Sequence, residues 1–383
     1  MKAISQNKIH VPFSINVTLL FLLVENSFVA VLLGDRQYSI ITHSLIFLLL
    51  IFFSLRRKLL LFPSFLAVLF IVVLGLALHY YVYSDYSLLY MLAVPQSVII
   101  GYIFFLNFKS LPLKNIFYFN CILFIVYIFL FTQEGGNTEF LRRTTYTTIL
   151  CHFWFLLAIK DFYYKNYVDI TPTVFFFFLS VVSYSRIGIG VCLFVFFVFL
   201  LRYFRKSITR FLLVSVILMT LLSFFFVFFD LTDIPAFQRF LDRGLGTGRY
   251  ELWEWYIKEL NLTRFFVGYD QFYVWENLWR MLKNPDPNIK FVKYTMHNSY
   301  LQFHALIGFF GLLIFAMFFV NAFKWILLKR DGVLASIFLS YLGLAFFSTI
   351  MLPQRYDYVF FTVLFLLIMA NSKTRLFKFD DNE

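Results

Sequence analysis

Three residues of this chain pair chemistry-bearing side chains with positions where such side chains are expensive: Arg186 in SYSRIGIG, Arg249 in GLGTGRYELWEW and His297 in MHNSYLQFHALIGFFG. Arg186 falls in a short turn between two apolar runs. A guanidinium at that depth must snorkel to lipid phosphates or hold an anion of its own. Gly188 and Gly190 just after it would let a helix or a ligand come close. Arg249 follows Gly244, Gly246 and Gly248. A glycine-rich turn into a helix N-terminus offers backbone N–H groups to an anion, although the same pattern also makes an ordinary flexible lead-in. His297 precedes Asn298, a suitable N-cap for a helix starting at Ser299. The positive end of that helix disfavours imidazolium, so the ring is available as a general base, or else serves as a hydrogen-bonded interfacial histidine. Arg355, in PQRYDY, is a further cation in a short turn, with Asp357 close enough to neutralise it. Asn298, Tyr300 and Arg355 complete the expected substrate contacts.

Other polar candidates have plainer readings. His304 stands seven residues after His297, roughly 10 Å along a helix, too far for both rings to hold one metal ion. It reads as a packed histidine with a hydrogen-bond partner. Gly308 and Gly311 suit close helix packing. Cys121, Cys151 and Cys192 lie in apolar runs without metal-ligand spacing, so no disulfide and no metal site are expected. Asn261-Leu-Thr263 matches a glycosylation sequon, a common chance match. No HExxH and no P-loop occurs, and no Asp-x-Asp lies outside the apolar runs.

The elements that must position these residues are set by composition. The chain has 383 residues, 61% hydrophobic and only 14% charged, against roughly 25% charged in soluble domains. Lipid must therefore solvate much of it. Apolar runs fall near 12–33, 38–55, 59–83, 87–106, 116–132, 144–159, 168–183, 187–201, 211–229, 299–322, 332–351 and 358–371, about 12 spans. The run Phe13–Leu33 reads as a retained first span, since no small-residue cleavage site follows it. Val168–Leu201 as one helix would reach roughly 50 Å, too long for one crossing, so a hairpin is expected at SYSR (183–186).

Charge placement supports that count. With both termini cytoplasmic, Lys and Arg collect in alternate connections: at Arg56–Lys58, Lys109 and Lys114, Lys160 and Lys165, Arg202–Arg210, Lys324–Arg330 and both ends. The opposite turns hold Arg36, Arg142, Arg143, Arg186 and Arg355. The net charge of +12 is thus an orientation signal, and no nucleic-acid partner is implied. The expectation is a single all-α polytopic membrane domain over 1–383, with one large extracytoplasmic helical loop at 230–296. In that loop RYELWEWYIKEL (249–260) should put Trp253, Ile257 and Leu260 on one face and pair Glu254 with Lys258, and YVWENLWRMLK (273–283) is a second helical pattern closed by a turn at NPDPN.

Permanent cations and one base beside apolar walls suit a substrate with an anionic head and a greasy tail, such as a lipid-linked pyrophosphate. Guanidinium groups can grip its oxygens and stabilise it as a leaving group without a metal. At these residues the sequence resembles the bacterial O-antigen ligase/polymerase superfamily. SYSR (183–186) looks like its Ser-Arg turn. GRYELWEWYIKEL…FFVGYDQF (248–272) is similar to its Arg…Trp…Gly pattern early in the large loop. HNSYLQFHALIGFFG (297–311) fits its His-Asn, nine residues, Gly-x-x-Gly pattern.

The resemblance covers roughly the second half of the chain. It implies a GT-C-like, inverting and metal-independent glycosyltransferase of the bacterial inner membrane, needing no cofactor, with its active site on the periplasmic side. Arg186 and Arg249 would bind the pyrophosphate of an undecaprenyl-linked oligosaccharide, and His297 would take the proton from the acceptor hydroxyl. HNSYL and the compact loop look more like an O-antigen polymerase, with a chain-length regulator protein as a conceivable partner in lipopolysaccharide biosynthesis. The ligase, which transfers to lipid A core, is the alternative. A flippase or transporter for the same lipid is the reading from another class, and Glu25 and His304 would matter there.

Overall fold

The computed structural model describes residues 62–83, 88–131, 137–183, 185–204, 249–269, 298–347 and 357–371, together with Leu48. Every regular element among them is a helix: α1 (Pro63–Tyr83), α2 (Leu88–Leu106), α3 (Leu113–Phe131), α4 (Asn137–Lys165), α5 (Thr171–Val182), α6 (Arg186–Phe204), α7 (Arg249–Lys258), α8 (Leu262–Val267), α9 (Ser299–Ile307), α10 (Phe309–Lys329), α11 (Gly332–Phe347) and α12 (Asp357–Asn371). The expected spans 12–33, 38–55 (Leu48 apart) and 211–229, Glu25, Arg36 and the pattern at 273–283 lie outside the described residues.

Long apolar runs with no polar face cannot bury themselves on one side only. Phe70, Tyr81, Phe178, Val320 and Leu328 accordingly point outward, each at least 62% exposed. By length and composition, α1 and α10 can each cross a bilayer. Inside, aromatic rings fill the bundle. Phe155 stacks on Tyr341 at 3.8 Å between α4 and α11, and Trp154 on Phe176 at 5.5 Å between α4 and α5. Trp154 Nε1 also donates to Thr173 Oγ1 at 3.0 Å, so the buried indole is not left unpaired. Gly101 lets α2 meet α12 backbone to backbone. A Cβ there would lie 2.6 Å from Phe361 Cβ and 2.8 Å from Tyr358 O.

The basic residues gather at one end of this bundle. Lys114 pairs with Asp169 at 3.0 Å, Lys165 with Asp161 at 2.8 Å and Arg202 with Asp331, while Lys329 reaches Asn166 Oδ1 at 3.2 Å. Lys160 Nζ donates to the carbonyls of Lys109 and Leu111, closing the turn after α2. These groups join the ends of α3, α4, α5, α6, α10 and α11, as alternate connections should. One expectation fails nearby. Arg142 and Arg143 do not stand in a turn, because α4 runs 29 residues, roughly 43 Å, and includes both.

The expected hairpin is present. Phe177 on α5 meets Phe196 on α6 at 6.0 Å, whereas a straight helix would hold residues 19 apart at roughly 28 Å. Ser183 N–H closes on Leu179 O, Ser185 N–H reaches Ser180 O at 2.8 Å, and Ser185 Oγ accepts from Gly188 N at 3.3 Å as an N-cap. A Cβ on Gly188 would fall 2.9 Å from Ser180 Cβ, so the glycine permits the close return, whereas Gly190 has nothing within 4 Å.

Candidate functional site

The run 299–322, expected as one span, is two helices. Tyr300 packs on Phe315 at 4.6 Å and on Phe319 at 5.8 Å, and Phe303 on Phe315 at 5.7 Å. In a straight helix residues 300 and 315 would lie roughly 22 Å apart. The chain therefore doubles back, and α9 lies along α10. The turn is Gly308, at φ +58° and ψ −142°, a conformation that other residues rarely adopt. Gly311 lets α9 lie close, since a Cβ there would meet Phe303 O at 2.7 Å. The nine residues between Asn298 and Gly308 in the motif are α9 itself.

α9 is short, roughly 13.5 Å, and sits among other helices. Tyr300 donates to Leu342 O on α11 at 2.9 Å, and Phe303 meets Phe361 on α12 at 6.4 Å. Its first turn has no acidic side chain. Asn298 Oδ1 accepts from the backbone N–H of Tyr300 at 3.0 Å and of Leu301 at 3.1 Å, so the expected N-cap is present. Asn298 is 3% exposed. The helix thus begins inside the bundle and ends at Gly308, opposite the basic end where α10 finishes.

The described part of the loop docks on that hairpin. α8 is capped by Asn261, the sequon residue, whose Oδ1 accepts from Arg264 N at 2.8 Å. Gly268, at φ +95°, turns the chain onto α9, where a Cβ would come within 2.5 Å of Ala305 O. Tyr269 N–H donates to Ala305 O at 3.0 Å. From α1, His79 Nδ1 donates to Val267 O at 2.8 Å and Tyr83 OH to Gly268 O at 2.9 Å. Arg264 bonds the carbonyl and carboxylate of Glu259, both at 2.7 Å, and lies 5.3 Å from the centre of the Tyr269 ring. None of His79, Tyr83, Arg264 or Tyr269 stood out in the sequence; the partners of His79 and Tyr83 are 188 and 185 residues away.

α7 turns a different face inward from the expected one. Glu254 and Lys258 pair at 2.6 Å as expected. Ile257 and Leu260 are exposed, however, and the buried pair is Trp253 and Tyr256. The tyrosine wins the inner position because its hydroxyl finds partners there. Burial lifts its phenol well above the ordinary value, so it stays a donor. His304 Nε2 faces Phe265 O at 3.0 Å and therefore carries the proton. Nδ1 then accepts from Tyr256 OH. Tyr269 OH in turn donates to Tyr256 O at 2.5 Å. His304, as expected, is a packed and paired histidine.

The remaining sequence candidates divide as follows. Arg186 is the first residue of α6 and Arg249 the first of α7, and their side chains lie outside the description. The turn before Arg186 is at the same end of the bundle as Gly308, because α6 and α10 both run from there to the basic end. His297 and Arg355 lie outside the described residues. Among the described residues no cluster of His, Cys, Asp or Glu could hold a metal ion.

A family model described as O-antigen ligase matches residues 172–316. No curated protein and no solved structure matches the chain. Members of the matched family are glycosyltransferase-like membrane enzymes of lipid-linked oligosaccharides. The matched stretch starts on α5, passes the serine turn and the docked loop helices, and ends on α10 past the glycine turn. It contains all three motif regions, and the match supports the resemblance to the O-antigen ligase/polymerase superfamily.

Proposed function

We propose that this protein is an O-antigen polymerase. It transfers a glycan from undecaprenyl pyrophosphate onto the sugar hydroxyl of a second lipid-linked repeat unit, with inversion and without a metal. Arg186 and Arg249 bind the donor pyrophosphate, and His297 takes the acceptor proton as that oxygen attacks the anomeric carbon. The proton leaves on the imidazole and the electron pair of the broken bond leaves on the pyrophosphate. Asn298 holds His297 in place by capping α9, Tyr300 anchors the same turn, and Arg355 adds a cation. Both termini face the cytoplasm and the site faces the periplasm.

The construction of α9 carries this reading. A re-entrant helix puts its N-terminus inside the bundle, and His297 is peptide-bonded to the buried Asn298 there. The positive end of a helix keeps the neighbouring imidazole neutral and attracts an anion. Arg186 and Arg249 likewise begin helices, where a cation gains nothing from the helix dipole. An anionic substrate gives all three a partner.

The test is transfer by purified protein in vesicles, with an undecaprenyl-pyrophosphate-linked oligosaccharide as donor. Lipid-linked repeat unit and lipid A core are offered as separate acceptors. Elongation of the repeat unit in EDTA, abolished by His297→Ala and severely reduced by Arg249→Lys, is the expected result, because a lysine cannot copy a forked contact. Transfer to lipid A core alone would make the protein a ligase. A strict need for divalent metal would overturn the arginine account. The break at Gly308 also gives the transporter reading an interrupted helix, and movement of the donor across the vesicle membrane without transfer would favour it.

A further inference from the structure

The loop helix α7 and the re-entrant helix α9 are joined by a side-chain bond deep in the docked region. Tyr256 is 2% exposed and His304 is 3% exposed. Tyr256 OH lies against His304 Nδ1 and also 3.4 Å from Leu301 O on the same helix, and a neutral imidazole orders the protons as follows. Phe265 O can only accept, so His304 Nε2 donates to it, and the remaining lone pair on Nδ1 takes the Tyr256 proton. Their rings lie 5.9 Å apart at 76°, and Phe265 and Tyr269 close around the imidazole at 5.9 and 6.5 Å. The transfer chemistry proposed above uses neither residue.

Their places along the chain are informative. Tyr256 is seven residues after Arg249, and His304 seven after His297. Seven helical residues span two turns, roughly 10.5 Å. Arg249, the first residue of α7, therefore stands about two turns from this hydrogen bond, and Asn298, which follows His297 in the sequence, caps α9 six residues before His304. Loss of these bonds frees α7 to slide and roll on α9, and with it the start of α7 relative to the capped start of α9.

We propose that Tyr256 and His304 are positioning residues, a clasp whose hydrogen bonds set the distance between the start of α7, to which the proposed function assigns pyrophosphate binding, and the capped start of α9. The proposal rests on the polymerase reading, and a misplacement of about 1 Å in such a site can cost on the order of 100-fold in rate. Tyr256→Phe removes one oxygen and keeps the ring. It should raise hydrogen exchange in residues 249–260 and lower kcat by about 10- to 100-fold, with the donor KM changed little. His304→Gln can still donate to Phe265 O and accept from Tyr256, and should recover most of the activity that His304→Leu loses. A purely structural pair would lower melting temperature and yield but leave kcat per folded molecule intact, and that result would overturn the proposal. Unchanged exchange in Tyr256→Phe would overturn it equally. If the unmodified protein transfers no glycan, the functional reading fails, and the exchange data then judge the clasp by themselves.

Discussion

Replacing Gly308 by alanine should undock the loop from the hairpin while leaving the bundle intact. The new Cβ would lie 2.1 Å from Phe266 O, 2.5 Å from Phe266 C and 2.7 Å from Val267 C, all backbone atoms that no rotamer change can move. The backbone at φ +58° and ψ −142° is itself glycine territory, worth about 1–3 kcal/mol of strain for an L-residue. Relief requires α8 to retreat by roughly 1 Å, the shortfall from an ordinary contact near 3 Å. That movement breaks Tyr269 N–H to Ala305 O, His79 to Val267 O and Tyr83 to Gly268 O. At about 1 kcal/mol net for each bond, the total loss is about 4–6 kcal/mol, in the range reserved for the most damaging substitutions. Gly190→Ala is the control, since nothing lies within 4 Å of its Cβ and a helical alanine should stabilise by about 0.5–1 kcal/mol. The assay is hydrogen exchange over residues 262–269 with thermal melting in detergent, helix content being checked by circular dichroism. Wild-type protection of α8 in Gly308→Ala would refute the docking described here.

Two further outcomes follow from local geometry. Asn298→Ala removes the acceptor of two backbone bonds and should cost about 1 kcal/mol of stability and most transfer activity, whereas Asn298→Asp, which keeps the cap, should melt within a few tenths of a kcal/mol of wild type. Equal melting of the two variants would discount the cap. At the basic end, partial burial works against the Asp169 carboxylate, but its bonds to Thr171 and Lys114 outweigh this and hold its pKa below the ordinary 3.8. A depressed carboxylate stabilises the fold at neutral pH, and that contribution disappears as pH falls below about 4. Melting of Asp169→Asn should therefore lack the small loss of stability below pH 4 that wild type shows, and parallel curves would assign that loss to other groups.

The two hairpins differ in how far the sequence announces them. The turn at Ser183–Ser185 is forced by length, because Val168–Leu201 exceeds one crossing, and by charge, because one span there would invert every later connection. The turn at Gly308 has no such signal. Residues 299–322 are predominantly apolar and of ordinary span length, and glycines in such runs usually mean close packing between helices. The break becomes visible only when Tyr300 is found against Phe315. On α7 the pattern misled for a related reason. Counting Ile257 and Leu260 as the apolar face is sound for an isolated helix, but the hydroxyl of Tyr256 finds its partners on α9, at His304 48 residues away and at Leu301 O. Lys160 shows the same limit. It reads as a loop cation, yet it caps two carbonyls from inside α4.

The spacing in the third motif has a geometric cause. A helix that spans the bilayer has both ends at an interface, where water competes for its free N–H groups and screens its dipole. Folding a nine-residue helix back against its successor puts one N-terminus within the bundle, away from that competition. The length of α9 then sets both the depth and the azimuth of whatever precedes it. One residue more would move the cap by about 1.5 Å and rotate it by about 100°. Tyr300 would leave Leu342, and the cap at Asn298 would leave its buried place. The asparagine is needed to cap the buried end, the first glycine to turn the chain and the second to let the hairpin close. The chemical role proposed for the histidine rests on its place in the sequence, directly before that buried cap.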